Sequence, residues 1–143
     1  MENIQNKFVD VKNDMAFHKI FGNADKTQAL ISFINAILKL PKDKMITFLE
    51  ILNPYQLPNV QDAKSIIIDI KARDDHKKEY IIEMQVADIN SFDKRVLYYT
   101  SKNFADQIKR GDSYQKLNPI IFIGFSFWYE SPRFIWSAKF LEV

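Results

Sequence analysis

A chain of 143 residues, 47% apolar and 14% aromatic, is long enough to close one real core and rich enough to fill it. Twenty Lys and Arg against 18 Asp and Glu leave a net charge of +2, so any polyanionic partner must be met by a local patch. With no cysteine and only two histidines, disulfides, thiolate zinc sites, cysteine nucleophiles and histidine-rich metal sites are excluded.

The N-terminus has no apolar stretch of signal-peptide length, and the longest apolar run, around 119–129, is too short and interrupted to span a bilayer. A soluble, cytoplasmic protein with no membrane partner is expected. Residues 13–38 read as two short helices. Asn13 or Asp14 offers an N-cap to the first, Phe17, Ile20 and Phe21 share its face, and Gly22 ends it. The second restarts at Asp25, repeats Leu30, Phe33, Ile34, Ile37 and Leu38 at helical spacing, and stops at Pro41.

"MITFLEIL" at 45–52 is too short for periodicity to choose between strand and helix. "NPYQLPNVQDAK" reads as a loop. The isoleucine-rich runs "SIIIDIKA" and "EYIIEMQ", split by charged residues, predict an antiparallel hairpin. A helix is predicted from Ser91 to Gly111 on Phe92, Val96, Leu97, Tyr98, Phe104 and Ile108. "NPIIFIGFSFW" and "RFIWSAKFLEV" follow as strands around the turn "YESP". Helices, strands, helix, strands in that order, with no repeat and no linker, predict one domain over 1–143.

The hairpin carries a carboxylate in the middle of each strand. If its loop is the five residues Asp74 to Lys78, Asp69 faces Glu83 directly, and Ile67, Asp69 and Lys71 share one side of the sheet. Any odd-length loop keeps both acids on one side. Like charges at directly opposed positions, with Cβ atoms about 4.5–5.5 Å apart, destabilise a sheet and call for compensation. A shared proton, a protein cation such as Lys71 diagonal to Glu83, or a divalent metal would each supply it.

The combination "DMAFHKIFG" at 14–22, "IIIDIKA" at 66–72, "IIEMQ" at 81–85, "RVLYYTSK" at 95–102 and "GDSYQKLNPIIFIGF" at 111–125 resembles the PD-(D/E)XK nuclease family transposases, the recombination-promoting nucleases. The resemblance spans roughly residues 13–125. It implies an α/β (α+β mixed sheet) fold with a restriction-endonuclease-like core of helix, β-hairpin, helix and strand. It further implies a hydrolase acting on DNA in recombination or mobile elements, with Mg²⁺ or Mn²⁺ as cofactor. Asp69 and Glu83 become metal ligands, with Asp14 as a third unless it serves only as a helix cap. Gln85 stands where most of the superfamily has Lys, which removes the usual cation beside the reacting phosphate.

Arg95, Tyr99 and Lys102 recur at i, i+4 and i+7, on one helix face, which is either a solvated face or, beside the family motif, the source of the catalytic cation, Lys102 or Arg95. Lys71, Arg73, Arg95, Lys109 and Arg110 are expected to contact DNA phosphates. His18 and His76 read as scaffold, and Phe122, Phe125, Phe127, Trp128 and Trp136 as core and rim of the last strands. Family members commonly run beyond the last strand, so a missing C-terminal segment is expected. A homodimer cutting both strands is compatible with this reading; a module that keeps the fold for DNA or protein binding, its cleavage lapsed, is the alternative.

Overall fold

The structure is a computed structural model that describes residues 14–56, 66–85, 92–128 and 131–140; for residues 14, 55–56, 66–67, 85, 125–128 and 131–140 it describes the backbone. Helix α1 spans Asp14–Phe21 and α2 spans Gln28–Leu38. The second begins three residues later than its apolar pattern suggests. Asn23 takes Asp25 into a turn instead, accepting its N–H on Oδ1 at 2.9 Å, and its carbonyl accepts from Lys26 at 3.2 Å. At the other end Lys39 turns left-handed, φ 49°, and its N–H closes on the Asn35 carbonyl, with Pro41 shortly beyond.

Strands β1 (Glu50–Leu52), β2 (Tyr55–Gln56), β3 (Ile66–Ile67), β4 (Ile70–Arg73) and β5 (Glu79–Gln85) follow, then α3 (Phe92–Ala105), β6 (Ile120–Trp128) and β7 (Ser131–Phe140). Five strands form one sheet in the order β1-β4-β5-β6-β7, while β2 and β3 pair separately. Only β5 and β6 run parallel within the five-stranded sheet, and α3 lies between them in sequence as the crossover.

One face of the sheet packs Ile70, Ala72, Tyr80, Ile82, Met84, Ile121 and Ile123 against Phe17 of α1 and Leu30, Ile31 and Ile34 of α2. The opposite face packs Ile81, Ile120 and Phe122 against Phe92 and Val96 of α3. The period-2 alternation of the isoleucine strands therefore feeds two cores, one under each helical layer. The undecided segment at 45–52 is extended and becomes strand only from Glu50. Its entry is held by the buried Asn35 amide, which donates to the Ile46 carbonyl and accepts from the Ile46 N–H, both at 2.8 Å. A side chain here does the work of a neighbouring strand.

The third helix differs from its apolar outline. It ends at Ala105, and Leu97 and Tyr98 are 53% and 42% exposed. The inner face is Phe92, Val96, Tyr99, Thr100 and Asn103. Two of these are polar, made compatible with burial because Thr100 Oγ1 donates to the Val96 carbonyl at 2.7 Å and Asn103 Nδ2 to the Tyr99 carbonyl at 2.8 Å. Among the described residues no helix is long and apolar enough to cross a membrane.

Candidate active site

The β4–β5 hairpin has the register that its five-residue loop dictates: Arg73 pairs with Glu79, Ala72 with Tyr80, Lys71 with Ile81 and Ile70 with Ile82. Continued one step, that register would set Asp69 against Glu83, but the ladder ends at Ile70 and Ile82. The continuous first strand expected from the sequence is broken there. Residues 66–67 pair with β2, Asp69 sits at a bend, and Ile68 joins the α3-side core instead of sharing a face with Ile70.

Asp69 is itself the cause that the geometry offers for the break. Its Oδ2 accepts the Met84 N–H at 2.7 Å, taking a place that a ladder carbonyl would fill in an unbroken strand. One carboxylate oxygen is thus pinned to the backbone beside Glu83. The other, Oδ1, faces the His18 imidazole of α1, with Nε2 3.8 Å away. Glu83, 7% exposed, projects to the α3 side.

Arg95 reaches this place by a chain of contacts. Glu83 is in register with Gly124 on β6. A Cβ on Gly124 would lie 2.5 Å from Phe92 Cζ, so the absence of a side chain is what lets the Phe92 ring lie on the strand. The Arg95 guanidinium sits over that ring at 5.4 Å from its centroid, and its buried Nε–H makes no hydrogen bond among the described residues. Tyr99, one turn on, packs against the same core. Burial raises its hydroxyl above the ordinary tyrosine range; Glu83 and Asp69 push the same way and Arg95 opposes them. The two acids, Arg95 and Tyr99 therefore share one electrostatic environment.

Lys71 is not the counter-ion of the acid pair. Its Nζ lies 3.1 Å from Glu79 Oε2, and Arg73 donates to Glu79 Oε1 at 2.8 Å, so both cations converge on a buried acid further down the hairpin. The reason is register: Glu79 stands directly across from Arg73, whereas the residue across from Lys71 is Ile81. These side chains, with Lys77, Lys116 and Asn118, line a groove of about 460 Å³.

Lys102 forms an ion pair with Asp106 at 3.1 Å and lies about 10 Å along the helix axis from Arg95 at 1.5 Å per residue. Lys109 and Arg110 occupy the exposed turn beyond α3. His76 is exposed on the hairpin turn, as expected, and His18, half exposed on α1, stands beside Asp69. The side chains of Asp14, Gln85, Phe125, Phe127, Trp128 and Trp136 lie outside the described residues; Phe122 is fully buried core.

Asp69 and Glu83 offer oxygen donors of the kind a hard divalent ion takes, and one Asp69 oxygen is held by the Met84 N–H, next in sequence to Glu83. Among the described residues no three His, Cys, Asp or Glu side chains form a group that could hold a metal ion. The class so defined is an α/β protein with an acidic site on a hairpin beside a helix-borne cation.

The sequence matches the family model described as PD-(D/E)XK nuclease family transposase over residues 11–134, and the chain belongs to that family. No curated protein and no solved structure matches it significantly. The fold is the α/β arrangement consistent with this nuclease family, whose substrate class is DNA and whose members generally use divalent metals.

Proposed function

We propose that the protein is a metal-dependent DNA endonuclease serving recombination or mobile elements, with Asp69 and Glu83 holding Mg²⁺ or Mn²⁺. The observation that supports this reading is the hydrogen bond from Met84 N–H to Asp69 Oδ2, which holds the Asp69 carboxylate against the backbone next to Glu83. When bound, the ion would supply Lewis acidity toward a phosphodiester oxygen and ready access to a nucleophilic water.

The chain's own residues do the rest. Asp69 keeps one oxygen on Met84 N–H and presents the other. Glu83 concentrates negative charge in a dry place, where its electrostatic effect is strongest. Gln85 gives the water an amide to hydrogen-bond, with no proton to exchange. Arg95, held on Phe92, supplies the positive charge toward the scissile phosphate that a Lys at 85 would have given. Asp14, at the start of α1, is a further metal donor. Lys102, beyond Arg95 on the same helix face, serves the phosphate next along the strand.

Lys71, Arg73, Lys109 and Arg110 contact backbone phosphates and read no bases. Helix α3 rises about 15 Å from Arg95 to its end, about four nucleotides at 3.4 Å per step, so Lys109 and Arg110 meet phosphates remote from the cut.

Plasmid nicking tests the assignment. Glu83→Gln and Asp69→Ala should each lose at least about 100-fold in rate with the circular dichroism spectrum unchanged, the order expected when an essential electrostatic group is removed. Undiminished nicking by both variants sinks the site. A folded wild type that binds DNA and millimolar Mg²⁺ yet never nicks supports the lapsed binding module instead.

A further inference from the structure

We infer that Tyr98 of α3 is a stacking platform for an unpaired base beside the scissile phosphate, so that single-stranded or locally opened DNA is bound and cut in preference to intact duplex. This rests on the reading of the chain as a DNA nuclease and names the form of DNA it takes.

An exposed tyrosine is by itself ordinary, because apolar atoms contribute more than half of a protein's surface. What sets Tyr98 apart is its border. On a helix the neighbours of a side chain are those three and four residues away, and for Tyr98 these are Lys94, Arg95, Ser101 and Lys102. Three are cations, and none is acidic or apolar. The ring, 42% exposed, therefore stands among charges that attract a polyanion. An aromatic face with phosphate-seeking groups before and after it along the helix is the combination that tracks a single strand. Leu97, the other large apolar residue exposed on α3, lies about 160° around the helix from Arg95 and borders Asp93 instead.

The packing of the ring joins it to the acid site. Tyr98 lies against Tyr99, with ring centroids 6.4 Å apart and planes inclined at 54°, and Tyr99 is the residue on which the charges of Glu83, Asp69 and Arg95 all act. Arg95, assigned above to the scissile phosphate, precedes Tyr98 by about 4.5 Å of helix rise, and Lys102, on leaving Asp106, follows it by about 6 Å. A strand whose phosphates meet those two cations brings a nucleobase to the ring between them.

Base geometry then sets the preference. In a duplex each base is covered on both faces by its stacked neighbours and offers only edges in the grooves, so a tyrosine ring finds no face to lie on. An unpaired base exposes its faces. Every base has them, so the contact distinguishes single strand from duplex and reads no sequence.

Fluorescence anisotropy of the full chain in Mg²⁺, read before cleavage accumulates, tests this with three probes: a labelled 12-mer single strand, a blunt duplex of the same sequence, and a 12-mer of abasic deoxyribose phosphates. Wild type should favour the single strand over the duplex. Single-strand affinity should fall about 5-fold or more in Tyr98→Ala and stay within about twofold of wild type in Tyr98→Phe, which keeps the ring. Duplex affinity should move less than about twofold in Tyr98→Ala, whereas a merely structural role would lower both. The abasic strand should bind wild type and Tyr98→Ala alike. Equal losses on single strand and duplex, a duplex preference in wild type, or an abasic strand that still registers the ring overturns the role of Tyr98 and leaves the nuclease reading standing. Unchanged single-strand affinity in Tyr98→Ala overturns it too and returns the ring to another partner, such as an acidic protein surface. A wild type that neither binds nor nicks DNA of any form overturns both.

Discussion

Asp69 illustrates how one side chain both bends a strand and equips it. Asp69→Asn can still accept from Met84 N–H, so its stability should stay within about 0.5 kcal/mol of wild type, while Asp69→Ala should lose about 1 kcal/mol. Both should lose Mn²⁺ binding by calorimetry, which separates the bending role from the ligand role. Asp74 and Tyr80 form a second, purely structural pair at the base of the hairpin. The Tyr80 hydroxyl donates to Asp74 Oδ2 at 2.9 Å, and burial together with that acid lifts its pKa far above the ordinary value. In the unfolded chain Tyr80 ionises near pH 10, but in the fold it stays neutral. The stability it contributes is thus complete below about pH 10 and lost as pH rises beyond it. Denaturant titrations at pH 8 and 11 should show this loss in wild type and a flatter profile in Tyr80→Phe. The hairpin register that brings Asp69 beside the backbone next to Glu83 was legible in the sequence because a short loop fixes it locally. The approach of His18 to Asp69 was not, since nothing in the spacing of "DMAFHKIF" says which distant strand its helix will cover.

At the level of elements, the hairpin and both N-terminal helices were legible because each carries its own periodicity and stop signals. The break in the first strand and the inner face of α3 were hidden for a common reason: polar groups were satisfied by the backbone, Asp69 by Met84 N–H, Thr100 and Asn103 by their own helix. Hydrophobic pattern alone places Leu97 and Tyr98 in the core ahead of them. The docking of α3 on β6 depends on a glycine that no pattern flags. Gly124→Ala drives a methyl group into the Phe92 ring and should cost about 1–3 kcal/mol in denaturant unfolding. Because Phe92 carries Arg95, the same change should weaken DNA cleavage more than metal binding.

For the molecule as a whole, the small net charge hides a partition of its cations. Glu79 occupies Lys71 and Arg73, Asp106 occupies Lys102, and Asp112 occupies Lys116. Of the proposed phosphate contacts, Arg95, Lys109 and Arg110 engage first, and Lys71, Arg73 and Lys102 do so only by leaving their acids. Three contacts give a slope of log K against log salt of about −3 on duplex DNA, which filter-binding or anisotropy across a salt series measures. Glu79→Gln releases Lys71 and Arg73 and should steepen that slope by about 1 to 2 while destabilising the fold by about 3 kcal/mol, the lower end for breaking a buried pair.

The short hairpin loop also fixes an order of events in time. A five-residue connection lets β4 and β5 close on a scale of about 1–10 μs, whereas the parallel pairing of β5 with β6 must wait for the intervening helix segment to be brought round. Asp69 and Glu83 are therefore pressed together before the layers that shelter them exist, and the nascent hairpin carries their repulsion unaided. Refolding should accordingly speed up when those charges are neutralised, by mild acid or by a divalent ion, so that the chemistry of the finished site is felt first as a barrier on the way to it.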